Sequence, residues 1–372
     1  MKQLLPIFMM VVFLGILAGA NIYLSRRFAW YFGLEHVKYI YVLFAGLTVF
    51  MIAGVAGLTN STGFVGHVFY CTAAFLMGFL LYLLLSVLVL DLVHLFVKVG
   101  AKYHGMAVLI LAVSLSAYAT WNAFQLRTEE ITIEMKGLDR GLRAMHLSDI
   151  HLGHFRGAGF LQSIVKLTNA QKVDMVLITG DLYDGKIRFC DTCLNPLREL
   201  NAPVYFVEGN HDGYSGVHRV KSGLGAVGVR VLSNEVSWQD GLQIIGLNHM
   251  LADENSTNMH APGNSSTIES VLEEMDIQKD KPIILLHHSP DGIQYANRKG
   301  VDLYLAGHTH AGQLFPVNYI GELIYQFNRG LHHYNGTSIY VSPGAGTFGP
   351  PMRLGTHSTV TVINLQPMRD KK

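Results

Sequence analysis

The chain has 372 residues, half of them hydrophobic and only 15% charged, with a mean hydropathy of +0.28. Soluble domains usually carry about 25% charged residues, so the deficit excludes intrinsic disorder and argues against a wholly soluble protein. A net charge of +1 gives no electrostatic footprint for nucleic acid, and three cysteines cannot build a disulfide framework.

The apolar residues are concentrated before residue 125. Four uncharged or nearly uncharged runs, Leu4–Leu24, Tyr39–Leu58, Val68–Val97 and Met106–Phe124, each approach or exceed the roughly 20 residues that a bilayer-spanning helix needs. None shows the polar face of a helix in a soluble bundle. Residues 1–126 are therefore read as a transmembrane helical region and 127–372 as a soluble domain. Lys2 and Ala18-Gly19-Ala20 resemble the two ends of a cleavable signal, but Ile22-Tyr23-Leu24 carries the apolar run past that point. The span reading is preferred.

Orientation follows from the flanking basic residues. The first connection carries Arg26, Arg27 and Lys38, the third carries Lys98 and Lys102, and the second, Thr59–His67, carries none. The expectation is a multi-pass protein of the cytoplasmic membrane, with connections one and three inside and the soluble domain extracytoplasmic. Asp91 and His94 stand three apart on one face of the third run. An intramembrane ionisable pair is a functional candidate, and an interhelical hydrogen bond near a hydrated interface is the plainer reading.

From Arg127 onward short apolar runs alternate with polar clusters. Leu142–Leu147, Met175–Ile178, Val204–Val207, Leu242–Leu247, Ile283–Leu286, Leu303–Ala306, Ser338–Ser342 and Ser358–Leu365 read as strands. Phe160–Thr168, Leu194–Leu200 and Thr267–Met275 read as helices, the last capped by Ser265 or Ser266. Asn255–Ser266 reads as a loop. The alternation predicts an α/β fold with a largely parallel core sheet.

Five of these strands run straight into ligand-type residues. The clusters are Ser148-Asp149-Ile150-His151, Gly180-Asp181-Leu182-Tyr183-Asp184, Gly209-Asn210-His211-Asp212, His287-His288-Ser289-Pro290 and Gly307-His308-Thr309-His310. In open α/β sheets a site lies outside the carboxyl ends of the strands, so the five loops converge. A single Asp-x-His is weak evidence, whereas five clusters in this order are hard to assign to structure alone. Carboxylate and amide oxygens mixed with imidazoles suit a pair of divalent ions, with Mn, Fe or Zn favoured over Mg or Ca and Mn first among them. Two such ions can clamp a phosphate, and one carboxylate must bridge them.

The set D-x-H, G-D-x-x-D, G-N-H-D, a histidine after a strand, and G-H-x-H resembles the signature of the calcineurin-like metallophosphoesterases, and covers roughly Ala144 to the C-terminus. The ending Gly344–Gly355 resembles the membrane-associated or exported bacterial branch. The wider family includes UDP-2,3-diacylglucosamine hydrolases and other lipid-phosphate enzymes. The resemblance implies a four-layer αββα sandwich of two mixed sheets, here preceded by an all-α bundle of about four membrane helices. It implies that Asp149, His151 and His310 hold one metal, that Asn210, His288 and His308 hold the second, and that Asp181 bridges. His288 is chosen over His287 because it stands two residues before Pro290, and His287 becomes a neighbour of the site. His211 would act as general acid, oriented and kept protonated by Asp184, after hydroxide generated at the metals attacks phosphorus. Gln313, Arg353 and His287 are candidate substrate or phosphate contacts. Ala311 departs from the glycine common at that position and would narrow the site slightly.

The expectation is thus a membrane-anchored phosphoesterase acting on a phosphorylated small molecule or lipid, or on a pyrophosphate bond, without nucleic acid as partner. A non-catalytic membrane sensor or scaffold keeping the same fold is the alternative, disfavoured because such proteins usually lose ligands. Cys190-Asp191-Thr192-Cys193 allows a redox pair, half a zinc site or a small disulfide, and reads first as two helical thiols. Cys71 lies in a spanning run and cannot join them.

Overall fold

The computed structural model describes residues 4–185, 192–256 and 266–368. It divides into two compact units, Met1–Trp121 with Gly349–Met352, and Asn122–Phe348 with Arg353–Lys372.

The first unit is helical. Its helices α1 (Leu4–Phe32), α2 (Val37–Leu58), α3 (Phe64–His94) and α4 (Ala101–Ala123) are all long and apolar enough to cross a membrane. Helix α1 continues past the predicted end at Leu24 because Arg27 has a partner. It pairs with Asp91 of α3, whose carboxylate also accepts from Tyr23 and lies 3.1 Å from His104 Nε2 on α4. The ring of His94 packs edge-on against His104, 4.8 Å between centroids. Asp91 and His94 therefore tie three helices together, the interhelical role that matches the plainer reading of the pair. Around them Leu24, Phe44, Leu83, Val87, Val108 and Ala112 form the apolar seam.

The second unit carries two six-stranded sheets. The strands are β1 (Leu126–Met135), β2 (Leu142–Leu147), β3 (Met175–Thr179), β4 (Val204–Val207), β5 (Arg230–Val231), β6 (Glu235–Gln239), β7 (Leu242–Gly246), β8 (Ile283–Leu286), β9 (Leu303–Ala306), β10 (Gly330–Tyr334), β11 (Thr337–Val341) and β12 (Ser358–Pro367). One sheet has the order β1-β12-β2-β3-β4-β5 and the other β10-β11-β9-β8-β7-β6. Parallel pairs dominate, but β12 runs antiparallel to β2, β10 to β11 and β6 to β7, so both sheets are mixed.

The apolar runs are uniform because both faces of each central strand are buried. On β2, β3, β8 and β9 alternate residues divide cleanly. Ala144, Leu177, Leu286 and Leu305 point into the core between the sheets. Met145 and Val176 point outward onto α5 (Ala158–Ala170) and α6 (Asn210–Ala226), through Leu161, Ile164, Val220 and Leu224. Leu285 and Tyr304 point outward onto α7 (Ile268–Glu274) and α8 (Ile293–Arg298), through Leu272 and Ala296. Helix, sheet, sheet and helix make four layers.

Several elements differ from expectation. Leu194–Leu200 holds only a five-residue 3-10 turn at Asn195–Glu199, which stops where Leu200 takes an extended backbone. Helix α7 is capped by Thr267, which accepts from Ser270 N, and not by Ser266, while Ser265 lies outside the described residues. Strand β1 lies upstream of the first expected strand, Leu142–Leu147. Its Ile131, Ile133 and Met135 face the core on alternate positions, and Thr132 and Glu134 between them face out. Cys193 is disulfide-bonded and Cys71 is not, which corrects the reading of two thiols, and Cys190 lies outside the described residues.

Candidate metal centre

The five strand-end loops meet at the carboxyl edges of both sheets. Their backbones are forced into an uncommon shape. Asp149, His151, Asp181, His308 and His310 all have φ between 51° and 72°, a region that side-chain-bearing residues rarely enter. Such strain persists only where the surroundings fix it, and it turns each side chain off its strand toward a common point. Two glycines make room. A Cβ on Gly209 would lie 2.1 Å from Asp181 Oδ1, and one on Gly307 would lie 1.9 Å from Ser148 Oγ.

Two groups of donor atoms hold the expected carboxylate and imidazole ligands, each with all its atoms within 4.8 Å of one another. The first is Asp149, His151 and His310. The Nε2 atoms of His151 and His310 converge to 3.0 Å, and Asp149 Oδ1 is 3.4 Å from His310 Nε2. Asp149 is held by Ser148 Oγ, which donates to Oδ2 at 2.6 Å, and by the backbone N–H of His308. The second group is Asp181, His288 and His308. His288 donates through Nδ1 to the Thr179 carbonyl at 2.7 Å. That bond fixes its tautomer and leaves Nε2 facing Asp181 Oδ2 at 3.1 Å and His308 Nδ1 at 3.2 Å.

Asp181 lies between the groups. Its Oδ1 accepts from the His211 backbone N–H at 2.8 Å. Its Oδ2 is 3.1 Å from His288 Nε2 on one side and 3.8 Å from His151 Nε2 on the other. Asn210 is 5% exposed, and its Oδ1 is buried with no hydrogen-bond partner. A buried amide oxygen left unpaired costs about 1–3 kcal/mol. Beside converging imidazoles and carboxylates it fits a metal ligand.

The electrostatics agree with a cation site. Burial alone would raise Asp181, yet the imidazoles of His288 and His211 hold it well below the usual carboxylate range. Burial alone would lower His288, yet the Asp181 and Asp149 carboxylates push it up to about 9. Protons here stand in for the positive charge that the donor set attracts.

His211 and Asp184 lie at the open side. Asp184 Oδ1 is 3.5 Å from His211 Nδ1 and equally 3.5 Å from His151 Nδ1, so one carboxylate serves both rings. Burial pulls His211 below its ordinary value against the opposing charge of Asp181. The ring is bordered by Phe348, 5.0 Å away, and Tyr214, 5.5 Å away.

The three substrate-contact candidates stand elsewhere. Gln313 is buried, and its amide clamps the Phe348 backbone, accepting from its N–H at 2.9 Å and donating to its carbonyl at 3.0 Å. Arg353 has no exposed surface. Its guanidinium donates to the carbonyls of Pro343 at 2.7 Å, Gly346 at 2.8 Å, and Gly344 and His310 at 3.3 Å. It holds the loop behind the first group together. His287 is fully buried, donating through Nδ1 to the Ser289 carbonyl. Ala311, buried at φ 53°, carries the strain that a glycine there would avoid.

Sequence reasoning missed three contributors. Asp212 accepts from the N–H groups of Gly209 and Leu182, tying two site loops together. Tyr325 packs its ring 6.1 Å from His308. His249 is 2% exposed, stacks on His287, and has both ring nitrogens unpaired. Its signal was present, since Asn248-His249 follows β7 as the other clusters follow their strands.

Residues 142–312 match the family model for calcineurin-like phosphoesterases. A Helicobacter pylori J99 protein named as an uncharacterized metallophosphoesterase is 35% identical over 245 residues, 65% of this chain and 64% of that one. A zebrafish (Danio rerio) transmembrane protein with metallophosphoesterase domain is 33% identical over 284 residues, 72% of this chain and 64% of that one. The chain thus spans less than two thirds of the length of these two relatives. An Aquifex aeolicus metallophosphoesterase is 35% identical over 265 residues, which are 69% of this chain and 98% of that protein. With its motifs at the edges of two mixed sheets and a relative matched over almost its whole length, the chain belongs to the calcineurin-like metallophosphoesterase family.

Proposed function

We propose that the chain is a membrane-anchored, dinuclear metal-dependent hydrolase of a phosphate ester or pyrophosphate. The single observation that carries this is the pair of donor groups with Asp181 standing between their imidazoles, completed by the orphan oxygen of Asn210. Asp149, His151 and His310 would hold one ion, and Asn210, His288 and His308 the other, with Asp181 placed to serve both. Bound ions supply Lewis-acid polarisation of phosphoryl oxygens and lower the pKa of water. The remaining work falls to side chains. His211 gives its Nε2 proton to the leaving oxygen while Nδ1 faces Asp184. Asp184 fixes that ring and the His151 ring together, so acid and ligand are positioned by one group. Phe348 and Tyr214 limit water around the acid.

Mn²⁺ is the first ion to test, for its match to mixed imidazole and carboxylate donors. The substrate reading is a phosphorylated lipid or cell-envelope molecule, since four apolar helices exceed what a tether needs. The domain is assigned to the extracytoplasmic side of the cytoplasmic membrane, supported by the basic connections and by the disulfide at Cys193, which suits an oxidising compartment.

The test is hydrolysis of a generic phosphomonoester and phosphodiester by Mn²⁺-loaded protein in detergent, beside Asn210→Ala. Activity that disappears in the variant supports the reading, and the rate ratio selects the ester class. Metal-loaded protein inert toward both esters and toward a membrane-lipid extract would return the non-catalytic scaffold.

A further inference from the structure

Helix α9 (Val317–Ile324) is built inside out. Its Asn318 and Gly321 are buried against the domain. Its Val317, Tyr319, Ile320, Leu323 and Ile324 face outward, with Leu323 87% and Ile324 68% exposed. A helix on a water-covered surface shows the reverse order. The one carboxylate on α9, Glu322, is paired with Arg329 at 3.3 Å. Among the described residues from 126 onward, ten large apolar side chains are exposed, and six of them lie between Phe315 and Ile324. The ridge is therefore one patch and not scattered exposure.

The ridge adjoins the metal centre at both of its ends. Upstream, Gln313 clamps the backbone of Phe348, whose ring stands against His211. Downstream, Tyr325 packs on His308.

We propose that α9 is a lipid-docking surface, which enters the interfacial layer of the bilayer and holds the mouth of the metal centre at the membrane. The occupant follows from the chain itself. Helix α4 ends at Ala123 and β1 starts at Leu126, so only Phe124 and Gln125 separate a helix fit to span a membrane from the domain. A domain on so short a connection cannot leave the bilayer surface. An outward apolar ridge with an aromatic hydroxyl at Tyr319 matches an interfacial helix, with apolar bulk in the acyl boundary and the polar tip among headgroups. This proposal rests on the shape of the domain surface and is independent of the metal chemistry.

The experiment uses the full chain in phosphatidylcholine nanodiscs, in a Cys71→Ser background. Leu323→Cys and the control Glu274→Cys each carry one environment-sensitive NBD fluorophore. Both positions are exposed, so neither substitution disturbs packing. Doxyl-labelled lipid in the disc should quench the probe at 323 by at least ~two-fold, with a blue-shifted emission, and leave the probe at 274 near its aqueous value. Equal, aqueous behaviour at both positions overturns the proposal. Energy transfer between probes at 323 on different chains, without doxyl quenching, also overturns it and assigns the ridge to a second copy. Hydrolysis is not part of the readout, so a failure here leaves the phosphoesterase reading intact, and an inert but docked protein leaves this one intact.

Discussion

Arg353→Met distinguishes two roles that the same residue could have. A substrate contact would leave stability unchanged and raise KM. The structure instead commits the guanidinium to four backbone carbonyls, two of them at 2.7 and 2.8 Å. Burial lowers its pKa to about 9, so it still carries its charge at neutral pH. Methionine keeps most of the stem volume but donates nothing. Each short charge-assisted bond contributes about 1.5–3 kcal/mol, and the carbonyls left behind are buried. Release from burying a charge offsets part of the loss. The expected destabilisation is about 2–4 kcal/mol, a drop of about 1 M in the urea midpoint. Pulse proteolysis of the full chain across a urea series reads it without interference from the membrane helices. His310, whose carbonyl is one of the four, should also hold its metal less tightly. A midpoint within about 0.3 M of wild type, together with a raised KM, would refute the reasoning.

His211→Ala should slow hydrolysis of an alkyl phosphate by about 10²-fold or more, and that of a p-nitrophenyl ester far less, because a good leaving group needs no proton; equal losses on both would remove the acid role. His146 is fully buried against Thr179, and burial lowers it to about 3 from 6.5. The unfolded chain therefore binds its proton first, and stability falls as pH drops below about 6.5, by about 2 kcal/mol at pH 5. His146→Asn should flatten that slope in urea midpoints taken between pH 7 and pH 5. Ala311→Gly should raise the thermal midpoint by relieving about 1 kcal/mol of left-handed strain, and a lowered midpoint would show that the methyl packs favourably.

The metal loops could be read from the chain because their strands are buried on both faces. Ile283–Leu286 and Leu303–Ala306 are uninterrupted apolar runs, and a polar residue after such a run marks a carboxyl end. Edge strands lack that contrast. The half-exposed β10, Gly-Leu-His-His-Tyr, has no clean period, and β5 is two residues long. Helix α9 escaped for a different reason: its apolar residues suggest burial, and only the coordinates show them facing out. Arg353 and Gln313 resemble ligand-binding residues in composition. Their partners are chiefly main-chain atoms, with Thr356 Oγ1 and His310 Nδ1 beside them for Arg353, and no side-chain motif records those.

The register of β1 has a consequence for synthesis. Among the described residues its sole strand partner is β12, joined in parallel over ten residue pairs from Leu126–Ser358 to Met135–Pro367. The first strand after the fourth apolar helix must therefore wait, unpaired, for residues 358–367 to emerge. Closing so long a loop is slow. Until it closes, the domain exposes an open sheet edge, with both donor groups already encoded but their sheet incomplete. Synthesis that stops short of residue 358 thus leaves a strand that can pair with a neighbouring nascent chain.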